Sequence, residues 1–192
     1  MRNIHATYKV TTQPTLEPIT LGELKTRLRI TVDEFDDELY DLLRAGREAV
    51  EYDSHRYLVT QTVAMYLDRF PSSSRHIEIR KLPVASVTSV TYIDEDVASQ
   101  TLASSKYVTD LDGKPPRIQL LENQDWPDTE IDYVKAVTVT FVAGSAAEAV
   151  PVEAKLAIVE WVRMHWGKCD GDHGKYQALI NRLAWSGHWM AV

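Results

Sequence analysis

RYLVTQTVAMYLDRFP, Arg56 to Pro71, is the stretch in which the chain changes its period. Val59, Val63, Met65 and Leu67 share odd-numbered positions, with threonine and tyrosine between them. A period of two places alternate side chains on opposite faces of a pleated backbone, so this stretch reads as a strand. Helical spacing comes before it. A series of further strand signals follows it, and helical spacing then returns.

Upstream, residues 1–19 hold Pro14 and Pro18 among threonine and glutamine without a helical period, which predicts an extended arm or edge strand. Thr20 and Glu23 have capping-box spacing, and Leu21, Leu24 and Leu28 follow on one face, so a short helix is expected from Thr20 to near Ile30. Thr31 with Glu34 repeats the capping spacing ahead of a longer helix. Its apolar stripe is Phe35, Leu39, Leu42, Leu43, Ala49 and Val50. Asp33, Glu34, Asp36, Asp37 and Glu38 crowd the start of this helix, where the dipole favours each exposed carboxylate by ~0.3–1 kcal/mol.

Downstream, Ile77 and Ile79 alternate with Glu78 and Arg80, and Val87 to Ile93 is rich in β-branched residues. Tyr107–Thr109 and Arg117–Leu121 flank a turn at Asp112-Gly113 and Pro115-Pro116, and Val137, Val139 and Phe141 complete the set. No crossover helix fits between these short strands, so they predict an antiparallel sheet or small barrel. Pro151 at a first helical position opens another helix, and the polar loop Gly167–Gly174 separates it from a last one carrying Tyr176, Leu179, Ile180 and Leu183. The fold class is α+β: a small helical body of about four helices with an inserted antiparallel β region. The expected divisions are an arm at 1–19, N-terminal helices at 20–54, the β insertion at 55–144, and C-terminal helices and tail at 150–192.

With 192 residues, 44% apolar and 26% charged, the chain can bury a core without disulfides or a structural metal. No stretch reaches the apolar length of a membrane span, and Met1–Val10 lacks a secretory pattern, so no membrane is expected as a partner. The lone Cys169 cannot pair within the chain, which fits a reducing compartment. The net charge of −7 is unevenly spread. Residues 1–30 carry 5 basic and 2 acidic groups, whereas residues 31–54 carry 2 basic and 9 acidic. Nucleic-acid binding relies on a basic stripe that displaces counterions from phosphates, and none is visible. An acidic surface suits a protein partner or a passage through which DNA slides without sticking.

Catalytic chemistry finds little support. GxSxG, SxxK, GxxxxGK[ST] and GxGxxG are all absent, so neither an activated nucleophile nor a phosphate cradle is indicated. His165, Cys169 and His173 are ligand types that zinc accepts, with Asp170 and Asp172 between them. Their spacing crosses a glycine-containing loop without a paired signature, and Asp170-Gly171-Asp172 is too short for a calcium loop. The expectation is no enzyme, no metal and no cofactor.

Tryptophan placement is more informative. Trp161, Trp166, Trp185 and Trp189 lie in the last 32 residues, and the final two have few apolar neighbours in sequence. On the helix from Pro151, Val152, Leu156, Val159 and Trp166 mark one face, and Ile158, Trp161 and Val162 widen the apolar arc beyond one core contact; Ile158, Trp161, Val162 and Trp166 are candidate intersubunit residues.

The ordered segments Pro18–Ile30 (PITLGELKTRLRI), Asp33–Glu51 (DEFDDELYDLLRAGREAVE) and Arg56–Pro71 resemble tailed-bacteriophage head-to-tail connector proteins, the adaptor family beneath the portal. Ile79–Asp94 (IRKLPVASVTSVTYID), the KYVTD…PPRIQL hairpin, FVAG at Phe141–Gly144 and Val150–Trp166 (VPVEAKLAIVEWVRMHW) continue in the same order. The resemblance implies a structural protein of the virion, assembled in the host cytoplasm. It would form a ring of about twelve copies under the portal, extend the DNA channel and give the tail a platform. Its partners would be itself, the portal protein and a downstream neck or tail completion protein, with DNA passing through unbound. Another neck ring, such as a head completion or tail terminator protein, is the alternative. The family's carboxy-terminal region engages the portal, which makes Trp185, His188, Trp189, Met190 and Val192 candidate portal-binding residues. The acidic group Asp33, Glu34, Asp36, Asp37 and Glu38 would face either the channel or a neighbouring subunit.

Overall fold

The computed structural model describes residues 6–130, 132–167 and 171–186, with backbone alone for 184–186. The chain forms two compact units, one from residues 1–13 and 61–143 and the other from residues 14–60 and 144–192. The fold is α+β.

The first unit is built on β1 (Thr7–Thr12), β2 (Gln61–Leu67), β3 (His76–Glu78), β4 (Val84–Ile93), β5 (Ser99–Thr101), β6 (Tyr107–Asp110), β7 (Arg117–Leu120) and β8 (Val137–Ala143). One sheet runs β1-β2-β8-β4-β5 and a second runs β3-β7-β6, with every pairing antiparallel. The alternation in β2 is used as expected. Val63 pairs with Phe141, Met65 with Val139 and Leu67 with Val137, and all six side chains are buried. β1 closes the sheet as an edge strand, with Tyr8 opposite Met65 and the Tyr8 hydroxyl accepting the Arg80 N–H at 2.9 Å. In the β6–β7 hairpin, Asp110 accepts the Gly113 N–H at 2.9 Å and the Arg117 Nε–H at 3.1 Å. β5 has no apolar alternation to announce it. It forms because Asp94 accepts the Asp96 and Ala98 N–H groups and turns the chain back.

The second unit packs α1 (Leu21–Leu28), α2 (Asp36–Asp53), α3 (Val152–His165) and α4 (His173–Ser186). Its core joins Ile19, Leu24 and Leu28 to Leu39, Leu43 and Val50 of α2, Ile158 and Val162 of α3, and Tyr176, Ile180 and Leu183 of α4. Each such side chain contributes ~1.5–3 kcal/mol by leaving water. Thr20 caps α1 as expected, accepting the Glu23 N–H at 3.2 Å while the Glu23 carboxylate accepts the Thr20 N–H at 2.8 Å.

The second capping box does not form. Helix α2 begins at Asp36 after Phe35, which makes no side-chain cap. Lys25 explains the difference. Its ammonium draws Asp33 to 2.5 Å and Asp36 to 2.6 Å, and so fixes the preceding segment from α1 instead. Pro151 likewise stands one residue before α3, as its N-cap, and its carbonyl accepts the Ala154 N–H at 3.0 Å.

The chain leaves the helical unit after Thr60 and re-enters it at Gly144. There Val59 bridges Ser145, Thr60 N–H donates to the Ser145 carbonyl at 3.0 Å, and Ser145 N–H donates to Leu58 at 3.1 Å. Gly144 has φ +84°, and a Cβ on it would lie 2.1 Å from the Val59 carbonyl oxygen, so only glycine fits.

Candidate assembly surface

The acidic group at the start of α2 is on the surface. Asp33, Glu34, Asp37 and Glu38 are exposed and Asp36 is half-exposed. Two of the five are engaged within the chain, because Lys25 holds both Asp33 and Asp36. That contact pulls the Asp33 carboxyl below the ordinary carboxylate value and raises the Lys25 ammonium. Among the described residues Glu34, Asp37 and Glu38 make no ion pair, and Asp37 and Glu38 continue with Asp41 along the exposed side of α2.

The α3 arc is placed differently from its expected role. Ile158, Val162 and Trp166 are buried in the chain's own helical core, and Phe35 meets the Trp166 ring edge-on at 5.4 Å. The extra apolar width packs against α2 and α4, so these three residues are interior to the helical unit rather than on its surface. Trp161 alone of the four is partly exposed, and its ring stacks on His165 at 3.8 Å. Gly46 of α2 makes this close packing possible. A Cβ there would stand 3.2 Å from Trp161 Cε3 and 3.4 Å from Ile158 Cγ2.

The tail candidates His188, Trp189, Met190 and Val192 lie outside the described residues. Trp185 has only its backbone described, within the last turns of α4. Cys169 and Asp170 of the sequence's metal-like cluster also lie outside them. The cluster's other members have different work. His165 Nδ1 is 2.8 Å from the Trp161 carbonyl, and Asp172 caps α4 by accepting the Lys175 N–H at 3.1 Å. Among the described residues no group of three histidine, cysteine, aspartate or glutamate side chains could hold a metal ion. No helix among them is long and apolar enough to cross a membrane.

Two buried charge clusters escaped the sequence reading. Arg47 is 2% exposed; its Nε donates to Glu17 at 2.9 Å and its Nη1 to Glu51 at 2.9 Å. The second Glu51 oxygen accepts the Leu58 N–H at 2.7 Å, so one cluster ties the segment before α1 to α2 and to the connection that follows α2. Burial raises the Glu17 carboxyl despite Arg47 beside it. Glu160 of α3 does the same for the next connection. It accepts the Asp172 N–H at 2.6 Å and pairs with Lys175 at 3.3 Å and Arg163 at 3.4 Å. The spacing of Arg47 and Glu51 was the available signal, but such a spacing occurs on exposed helix faces as well.

In the β unit, an open cleft of about 350 Å³ is lined by Ser72, Ser73, Ser74, Arg75, Asp125 and Trp126, among others. Three of its polar residues, Ser74, Arg75 and Trp126, are engaged within the unit. Arg75 donates to the Leu121 carbonyl and Trp126 Nε1–H to the Ser74 carbonyl at 2.9 Å, while the indole stacks on Phe70 at 4.9 Å. The arrangement braces the loop between Phe70 and Arg75.

Neither a family model nor a curated protein matches this chain. Solved structures do. A chain from the neck of an empty gene transfer agent (GTA) particle, computed with C6 symmetry, superposes with a TM-score of 0.76 at 21% identity, covering 92% of this chain and 94% of that one. A chain of the native GTA virion gives 0.76 at 20% identity over 92% and 94%. One from the neck of the native particle, computed with C12 symmetry, gives 0.69 at 22% over 91% and 94%. The chain therefore shares, over nearly its whole length, the fold of proteins found in phage-like particles.

Proposed function

We propose that this protein is a structural ring component of the neck of a tailed-phage-like particle, acting as a head-to-tail adaptor. One observation carries the reading: both units, β insertion and helical body together, are shared with neck proteins over 92% of the chain. The order of segments noted in the sequence independently favours the adaptor family. In this reading about twelve copies form a ring under the portal, the ring prolongs the DNA channel, and the carboxy-terminal segment from Trp185 to Val192 engages the portal. The exposed acids on α2 suit either a wall that repels DNA phosphates or a contact between copies. No catalytic step is assigned to any residue.

The deciding experiment is co-sedimentation of the purified chain with portal rings and, separately, with tail tubes, followed by projection imaging of whatever complex forms. Binding to portal with a closed ring in projection supports the adaptor role. Binding only to tail tubes moves the protein to the tail-terminator position. Binding to neither, with magnesium-dependent cleavage of DNA, removes the structural reading altogether.

A further inference from the structure

The five-stranded sheet ends in two edges with little to guard them. At one end, Thr7–Thr12 of β1 makes backbone hydrogen bonds with β2 alone among the described residues. At the other, β5 covers only Thr91–Ile93 of β4, and the Leu102 N–H reaches the Val90 carbonyl just beyond. Among the described residues Val84–Ser89 of β4 is therefore paired on its β8 side alone, and this open stretch is as long as the 6 residues of β1. Ala85, Ser86 and Thr88 are exposed, as are Thr7, Lys9, Thr11 and Thr12. A row of unpaired N–H and C=O groups is a template for another strand, so native edges are commonly blunted by charge, proline or shortness. β4 holds no charged residue and no proline, and β1 holds Lys9 as its single charge. The outer strands of the second sheet differ: β3 and β6 are 3 and 4 residues long, with His76 and Glu78 on β3 and Asp110 on β6.

We propose that β1 of one copy adds to the Val84–Ser89 edge of β4 in a second copy, so that the β units of a ring join into one continuous sheet. The inference rests on the ring reading above. A cyclic ring repeats one heterologous contact, which needs two different and complementary patches on every subunit. The two ends of one sheet supply them. Strands in this sheet alternate in direction along the order β1-β2-β8-β4, so β1 and β4 run oppositely. A rotation of about 30° between copies, the value for a ring of twelve, preserves that opposition and brings Thr7–Thr12 antiparallel to Val84–Ser89. Pairing of either edge with itself would need a two-fold axis and stop at a pair. Bulges at Val10/Thr12 in β1, and at Val84/Ser86 and Val87/Ser89 in β4, bend the strands where one sheet would pass into the next round a curved wall. Main-chain hydrogen bonds supply the affinity, as in strand addition generally.

Disulfide capture tests it in the full-length chain, with Cys169→Ser removing the native thiol. A chain carrying Lys9→Cys or Thr11→Cys is mixed with a chain carrying Ser86→Cys or Thr88→Cys, all exposed positions, under mild oxidation. At least one of the four mixtures should cross-link about tenfold or more faster than either of its chains with itself. Ser86→Lys with Thr88→Lys, which places charge on the open edge, should weaken self-association by about tenfold or more in sedimentation velocity. Circular dichroism and melting temperature separate lost docking from lost folding, and the cysteine mixtures decide alone if the lysine variant does not fold. Absence of cross-links in all four mixtures, from a protein whose wild type forms rings in projection, overturns this contact and leaves the ring intact as a reading. A wild-type chain that remains a monomer at every concentration, with or without portal, overturns both.

Discussion

Arg47 Nη1 donates to Glu51 Oε2 at 2.9 Å, one turn apart on α2, with both side chains buried. The pair is more than a helix-surface contact, because Glu17 and the Leu58 N–H complete it from two other parts of the chain. It therefore joins the entry to the helical unit to the connection by which the chain leaves it.

Arg47→Met would leave Glu17 and Glu51 without their counter-charge in a buried place. Removing one partner of such a cluster costs about 3–5 kcal/mol. Urea unfolding should show a midpoint lowered accordingly, with a smaller loss of about 1–3 kcal/mol for Glu51→Gln, which keeps a carbonyl oxygen able to accept Leu58 N–H. A midpoint unchanged in Arg47→Met would mean that the guanidinium contributes nothing net.

At Gly46 α2 packs close against α3, with Trp161 and Ile158 side-chain atoms within 3.4 Å of where a Cβ would stand. Gly46→Val should overpack this contact and destabilise the chain by about 1–3 kcal/mol despite removing a helical glycine. The near-ultraviolet circular dichroism of Trp161 should change with it. A valine variant as stable as wild type would show that the helices separate without cost.

Tyr176 of α4 donates its hydroxyl to Asp53 Oδ2 at 2.6 Å, and burial followed by this carboxylate pushes the phenol well above its ordinary value. Tyr176→Phe should lose about 1.5–3 kcal/mol near neutral pH, the range for a hydrogen bond to a charged group. The folded state holds this proton more tightly than the unfolded state. The contribution is therefore whole below pH 10.0, the unfolded tyrosine value, and is lost as the pH rises beyond it. The difference in stability between wild type and Tyr176→Phe should accordingly narrow in alkaline unfolding curves.

Lys25 and Asp33 make the opposite pH statement on the surface. Lys25 lowers the Asp33 carboxyl by hydrogen bonding and by charge, so the contact is present above pH 3.8, the unfolded aspartate value, and is lost as the pH falls below it. Titration followed by carboxyl NMR should find Asp33 below its ordinary value in wild type and shifted upward in Lys25→Met. An unmoved titration would detach the start of α2 from α1.

Among the features decided by neighbours in sequence, the Thr20–Glu23 cap, the turn at Asp112-Gly113 and the period-two strands Gln61–Leu67 and Val137–Ala143 were all legible, because each depends on groups a few residues apart. Buried side and strand assignment followed from period alone. What the sequence left open depends on which elements meet. Thr31 and Glu34 carry the same capping spacing as Thr20 and Glu23, yet Lys25 arrives from α1 and sets the start of α2 elsewhere. The broad apolar arc of α3 reads equally as a surface or as an interior, and packing against α2 and α4 makes it interior. Local chemistry acts over one turn and is written in spacing. Burial is settled by long-range contacts, and these exist only once the helices have been brought together.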